Sequence, residues 1–218
     1  MVAASSPSAR PLPRREPPAR SEKYDAILDA AEALFGSRGF RQAGVDEIAS
    51  RAAVSKPLIY RYFRSKKHLF EVVVDRVIQQ WCEVIAIEGT RVTPSAAHSL
   101  RRIVAASLDF ACSREVLRGL LARESQLMLA GYSDVLERGS ETLRRVVRDV
   151  LERGVRAGEV RTDLDAERMA DVITEVCIRF GDRLVSGDQE RAEPTLLEAI
   201  IETLLHGVIV HREGNATV

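Results

Sequence analysis

From Glu22 onward the apolar residues of this chain recur at a spacing that suits a helix and nothing else. Tyr24, Ile27, Leu28, Ala31, Leu34 and Phe35 stand at i, i+3, i+4, i+7, i+10 and i+11, which at 3.6 residues per turn is one continuous stripe. No segment alternates apolar and polar residues with period two, and no β-branched run lies between turn signals, so the pattern predicts no strands. Helix must be buried against helix, and the fold class is all-α. The chain has 218 residues, 45% of them hydrophobic, enough for one large domain or two small ones.

The first stripe ends at "GSRG", Gly36 to Gly39. Val45, Ile48, Ala49 and Ala52 make a short second stripe, Ala53 and Val54 form a turn, and Ser55 is placed to cap a third helix reaching about Arg64. Ser65 caps a fourth, long helix with the stripe Leu69, Phe70, Val73, Val74, Val77, Ile78, Trp81, Val84 and Ile85. Further helices are expected over 94–112, 114–130, 133–157, 165–186 and 193–211, separated by glycines and short polar links such as "AGEVRTDLD". Residues 1–20 hold five prolines and four arginines with little that could pack, which predicts a flexible basic tail. It is either simply solvated or an arm that reaches a minor groove.

Two short helices joined by a tight turn and supported by a first helix are a helix-turn-helix, whose second helix enters the major groove. The stretch "VSKPLIYRYF", Val54 to Phe63, fits that role. Pro57 lies in the first turn, where a missing N–H costs little. Ile59 and Phe63, four apart, point inward, while Pro57, Tyr60, Arg61 and Arg64 share the opposite face with Lys56 at its edge. Tyr hydroxyls bond phosphates, and Arg61 can reach guanine O6 and N7. Ser65, Lys66 and Lys67 open the fourth helix, so free N–H groups, the helix dipole and two ammonium groups converge where a phosphate could dock. Tyr60 and Lys66 are both read as outward. Charge agrees: the net charge of zero divides into 13 Lys and Arg against 7 Asp and Glu over Met1 to Phe70, and 19 against 25 beyond it.

At these residues the chain resembles the tetracycline-repressor (TetR) family of bacterial transcriptional regulators. The match runs over roughly Ser21 to Trp81, through "ALFGSRGF", "VDEIASRAAVS" and "KPLIYRYFRSKKHLF". The resemblance implies a homodimer with a DNA-binding domain over 21–81 and a larger domain over 82–218. That second domain would hold a small-molecule pocket and dimerise through its last two helices. Carried over by position, Val45, Lys56, Pro57, Leu58, Tyr60, Arg61, Tyr62 and Lys66 are the DNA-contacting set. The chain departs from the family pattern at several positions. Ala43 and Gly44 stand where a phosphate-bonding threonine is usual, Tyr62 where histidine is common, and Leu58 where threonine is common. Ala53 replaces a turn glycine, so either its φ is negative or mild strain is tolerated.

Apolar faces on the last two helices, Met169 to Leu184 and Leu196 to Ile209, are broader than one thin layer would bury. They imply either a two-fold interface or an internal core. Glu124 falls within the apolar stripe of Leu117, Leu121 and Met128, where a carboxylate needs an internal arginine or a polar effector group. With Trp81, Phe110, Met128 and Cys177 it forms the candidate effector-binding set. The four histidines show no metal-ligand spacing, no GxGxxG, P-loop or GxSxG occurs, and Cys82, Cys112 and Cys177 stand far apart. The expectation is a non-enzymatic, ligand-responsive regulator, a repressor that a small organic effector releases. It would need neither cofactor nor metal, bind double-stranded operator DNA, and act in the cytoplasm away from any membrane.

Overall fold

The computed structural model describes residues 22–117, 133–185 and 194–209. These residues form helices α1 (Glu22–Gln42), α2 (Val45–Arg51), α3 (Lys56–Tyr62), α4 (Lys66–Thr90), α5 (Ala96–Ser113), α6 (Ser133–Arg156), α7 (Ala166–Val185) and α8 (Pro194–Val208). Among the described residues the only extended pairing is an isolated bridge between Val160 and Ile209. The expected helix over 114–130 falls largely outside them, as do Glu124 and Met128.

Two hydrophobic clusters divide the described residues. The first joins Ile27, Leu34 and Phe35 of α1, Ile48 of α2, Ile59 of α3 and the first half of α4 up to Ile78, together with Phe63. Val116 and Leu117 also enter it, so the chain after α5 returns to touch the N-terminal helices. The second runs from Ile85 through Leu100 and Ile103 of α5, Leu143 and Leu151 of α6, Ile173 and Cys177 of α7, and Ile201 and Leu205 of α8. The α4 stripe serves both clusters in turn, with Trp81 packed against each.

Glycine decides two local features. Gly39 takes φ 73° and breaks α1, a conformation that L side chains resist, and one further turn follows before α2. At Gly36 an added Cβ would lie 2.6 Å from Glu115 Cβ and 2.9 Å from the Val116 nitrogen, so only the bare backbone lets α1 meet the returning chain. Partly buried charges bridge the same contact. Glu32 of α1 accepts from Arg76 of α4 at 2.8 Å and from Arg114 at 2.9 Å, and Arg114 also donates to Gln80 at 2.9 Å. The N-terminal helices are thereby held to the start of the segment that leads away from α5.

Candidate nucleic-acid interface and effector site

The α3 backbone begins at Ser55, whose carbonyl accepts from Leu58 N at 2.9 Å. Its hydroxyl makes no capping bond and is left at the surface. Pro57 occupies the first turn. Ile59 and Phe63 are each 1% exposed, which anchors the inner face of α3 and fixes the rotation of the outer one. On that outer face Tyr60 is 47% exposed. Lys56, Pro57, Arg61 and Arg64 are exposed as well, and the Arg61 guanidinium meets no ion-pair or hydrogen-bond partner among the described residues.

The turn between α2 and α3 resolves the alternative left open at Ala53. Its φ is 51°, so alanine takes the left-handed conformation normally given to glycine, at a cost of about 1–2 kcal/mol. Neighbouring bonds hold it there: Ala53 N to Ser50 O at 3.2 Å and Val54 N to Ala49 O at 3.0 Å. α4 is capped reciprocally. The Ser65 hydroxyl accepts from His68 N at 3.0 Å, and His68 Nδ1 accepts from Arg64 N at 3.1 Å, an arrangement akin to a capping box.

Several members of the DNA-contacting set are not simply outward. Val45 is 8% exposed, so its side chain belongs to the core and its main-chain N–H, at the start of α2, is what it can offer a phosphate. Leu58 is half-buried. Tyr62 packs edge-on against Tyr24, ring centroids 5.4 Å apart. The outward reading of Lys66 needs correction. Its Nζ donates to the Arg41 carbonyl at 3.1 Å and sits 4.8 Å from the centre of the Phe40 ring, and burial lowers its ammonium pKa below the ordinary lysine value. Lys66 ties the start of α4 to the end of α1 and stays partly exposed.

The effector-binding candidates that lie among the described residues fall in different places. Trp81 gives its indole N–H to the Ser107 hydroxyl at 3.0 Å. Phe110 packs on the first cluster beneath the Arg114 guanidinium, 5.0 Å from its ring centre. Cys177 is buried in the second cluster, which pushes its thiol up to about 12. Three residues before it, the Thr174 hydroxyl is fully buried without a hydrogen-bond partner. An open cleft of about 530 Å³ lies between α4 and α6, walled by Ile78, Gln79, Cys82, Glu137, Arg138 and Thr142.

Residues 27–73, covering this whole helix-turn-helix and the start of α4, match the model of bacterial regulatory proteins of the tetR family. Over these residues the chain is similar to that family. Over 91 residues it is 38% identical to the HTH-type transcriptional activator FasR of Mycolicibacterium smegmatis, a stretch covering 42% of this chain and 41% of that protein. It is 23% identical to the fatty acid metabolism regulator protein of Bacillus subtilis over 197 residues, 85% of this chain and 95% of that protein. In three dimensions it is similar to the FadR transcriptional regulator of Bacillus subtilis solved in complex with stearoyl-CoA, with a TM-score of 0.67 and 22% identity. That likeness covers 86% of this chain and all of that one, and it establishes the shared fold.

The structure also brings forward residues that sequence reasoning passed over. Asp46, in the first turn of α2, holds Lys56 Nζ at 2.9 Å. Its neighbour Glu47 holds Arg38 at 2.8 Å. Acidic residues at a helix start read as dipole partners, and pairings ten and nine positions apart leave no periodic trace in the sequence. Thr174 lay inside an apolar stripe, where a threonine with a satisfied hydroxyl looks the same as one without.

Proposed function

We propose that the chain is a repressor that acts by binding and not by catalysis, released from its operator by a small organic effector held in the α4–α8 body. The observation that carries the reading is the α3 face. Its inner side is locked by Ile59 and Phe63, and its outer side presents Tyr60 and an unpaired Arg61, the residue types that contact phosphate and guanine. Two such helices, one per protomer, would engage half-sites roughly 34–36 Å apart. The proposed homodimer forms on α7 and α8, where Val172 stays 57% exposed beside the buried Ile173. Ile201, by contrast, belongs to the chain's own core, so it is not offered as an interface residue.

For the effector we propose a long-chain acyl thioester or a related fatty acid derivative. Support comes from the similarity to a regulator solved with stearoyl-CoA and from the composition of the second cluster. That cluster is mainly aliphatic, with Trp81 packed against it and one unsatisfied hydroxyl at Thr174, three residues before Cys177. A buried hydroxyl without a partner is unfavourable, and a ligand carbonyl would satisfy it. Within this reading Trp81, Phe110, Glu124, Met128 and Cys177 remain the effector-binding set. The protein would work in the cytoplasm; no described helix is long and apolar enough to cross a membrane.

Gel retardation with the DNA upstream of the chain's own coding sequence, repeated with acyl-CoA esters of increasing length, tests both parts. Retardation that long-chain esters abolish is expected. Failure to retard any fragment at low salt would end the regulator reading, and retardation that no ester affects would end the acyl assignment alone. Sedimentation of Val172→Glu checks the interface, with monomer as the expected result.

A further inference from the structure

The α2–α3 corner carries a charge arrangement that phosphate recognition by itself does not call for. Asp46 stands on the first turn of α2 with 79% of its side chain exposed, and it reaches across the turn to Lys56, 46% exposed, at 2.9 Å. Lys56 is the first residue of the recognition helix. The pair therefore joins the two arms of the helix-turn-helix and leaves a carboxylate standing where the DNA backbone must approach. The contact keeps the lysine charged: the Asp46 hydrogen bond, and then its negative charge, raise the ammonium pKa above the ordinary value. Any effect of Asp46 on DNA binding is thus one of competition and not of protonation.

We infer that Asp46 is a positioning residue that sets the ratio of specific to non-specific DNA binding by holding Lys56 in an internal ion pair. This rests on the reading of α3 as the DNA-binding helix. A cation that neutralises a phosphate releases a condensed counterion, and that release dominates sequence-independent affinity. A lysine already neutralised by Asp46 contributes little to it. Before Lys56 can bind phosphate it must leave a carboxylate that then faces the polyanion unpaired. On an arbitrary duplex nothing offsets that repulsion. On the operator, base contacts from Arg61 and Tyr60 draw the face close enough for the exchange to proceed. Asp46 accordingly suppresses loose binding more than it suppresses operator binding.

The test uses the full chain and a random-sequence duplex, with affinity followed through a salt titration by fluorescence anisotropy. Asp46→Asn should tighten non-specific binding by about three- to tenfold and steepen the log–log salt slope by about one unit. In the Lys56→Ala background, where Asp46 faces the duplex unpaired, the same substitution should relieve repulsion alone, with a smaller gain in affinity and no steeper slope. That background also controls for the loss of a negative charge at the α2 dipole, since the dipole is the same in both. An unchanged slope in Asp46→Asn overturns the proposal. So does an equal gain with the same steeper slope without Lys56, which would show simple repulsion by Asp46. Weaker binding together with a lower melting temperature would make the pair a structural brace and also overturns it. Failure of the unsubstituted chain to bind duplex at all would show before any variant is made, and would mark failure of the DNA-binding reading itself.

Discussion

The two hydrophobic clusters place their chemically informative groups on opposite sides of the packing. In the helix-turn-helix the interior is apolar, with Ile59, Phe63 and Phe35 in one cluster, and the informative residues, Tyr60 and Arg61, are outside. In the α4–α8 body the unusual groups are inside: a buried thiol at Cys177 raised to about 12 and an unsatisfied hydroxyl at Thr174. An outward-facing set suits a partner too large to enclose, such as a DNA duplex. An inward-facing set suits one that must be surrounded, as proposed for the effector. The bridge between the clusters is the Glu32 network with Arg76 and Arg114, which gives the body a grip on α1.

The largest test of this contrast removes the anchor of the outward face. Phe63→Ala should destabilise the first cluster by about 3–5 kcal/mol, the cost of truncating a buried aromatic ring. Chemical denaturation should then show the N-terminal helices melting before the body. One unchanged cooperative transition would mean that the clusters do not act separately. Next in size is the bridge. Glu32→Ala leaves two guanidinium groups without their shared carboxylate and should cost roughly 1.5–3 kcal/mol, seen as a lower melting temperature and a looser dependence of DNA affinity on effector. Retained stability would show that solvent replaces the bridge.

Two substitutions should stabilise, one in each region and for different reasons. Ala53→Gly relieves the left-handed strain at φ 51° and is expected to add about 1 kcal/mol. Thr174→Val removes the unsatisfied hydroxyl and should add about 1 kcal/mol or slightly more, while shifting the effector response that Ala53→Gly leaves alone. Calorimetry on both variants, with effector titration, separates strain relief from loss of a ligand contact. The smallest stability change belongs to Tyr60→Ala, within about 0.5 kcal/mol as for other exposed positions. Its operator affinity should nevertheless fall clearly. A melting temperature that falls as far as the affinity would move Tyr60 from the recognition face to the core.

The DNA-binding half was legible because its signals are local. A helix cap at Ser65, a first-turn Pro57 and inward residues four apart at Ile59 and Phe63 each follow from the chemistry of a few adjacent positions and recur in the structure, while Ser55 holds the N-cap position without a side-chain capping bond. The body was legible as helices but not as a site. Its candidate residues come from helices far apart in sequence, and packing alone decides whether Trp81 bonds Ser107 or faces a ligand. A stripe of Met169, Val172, Ile173, Val176 and Cys177 reads as one face, whereas the fold buries Ile173 and Cys177 and leaves Val172 in solvent.

By itself, then, the sequence determined the all-α class, the helix-turn-helix and the identity of its recognition helix, since periodicity and capping act within a few residues of one another. Only the tertiary structure decided which charges are available on the recognition face. Lys56 meets Asp46 ten positions away and Lys66 meets the Arg41 carbonyl twenty-five away, and both contacts exist because α2 and α4 are folded against the helices before and after them. Electrostatic partners are set by distance in space, and once a chain turns back on itself that distance is no longer a function of position along it.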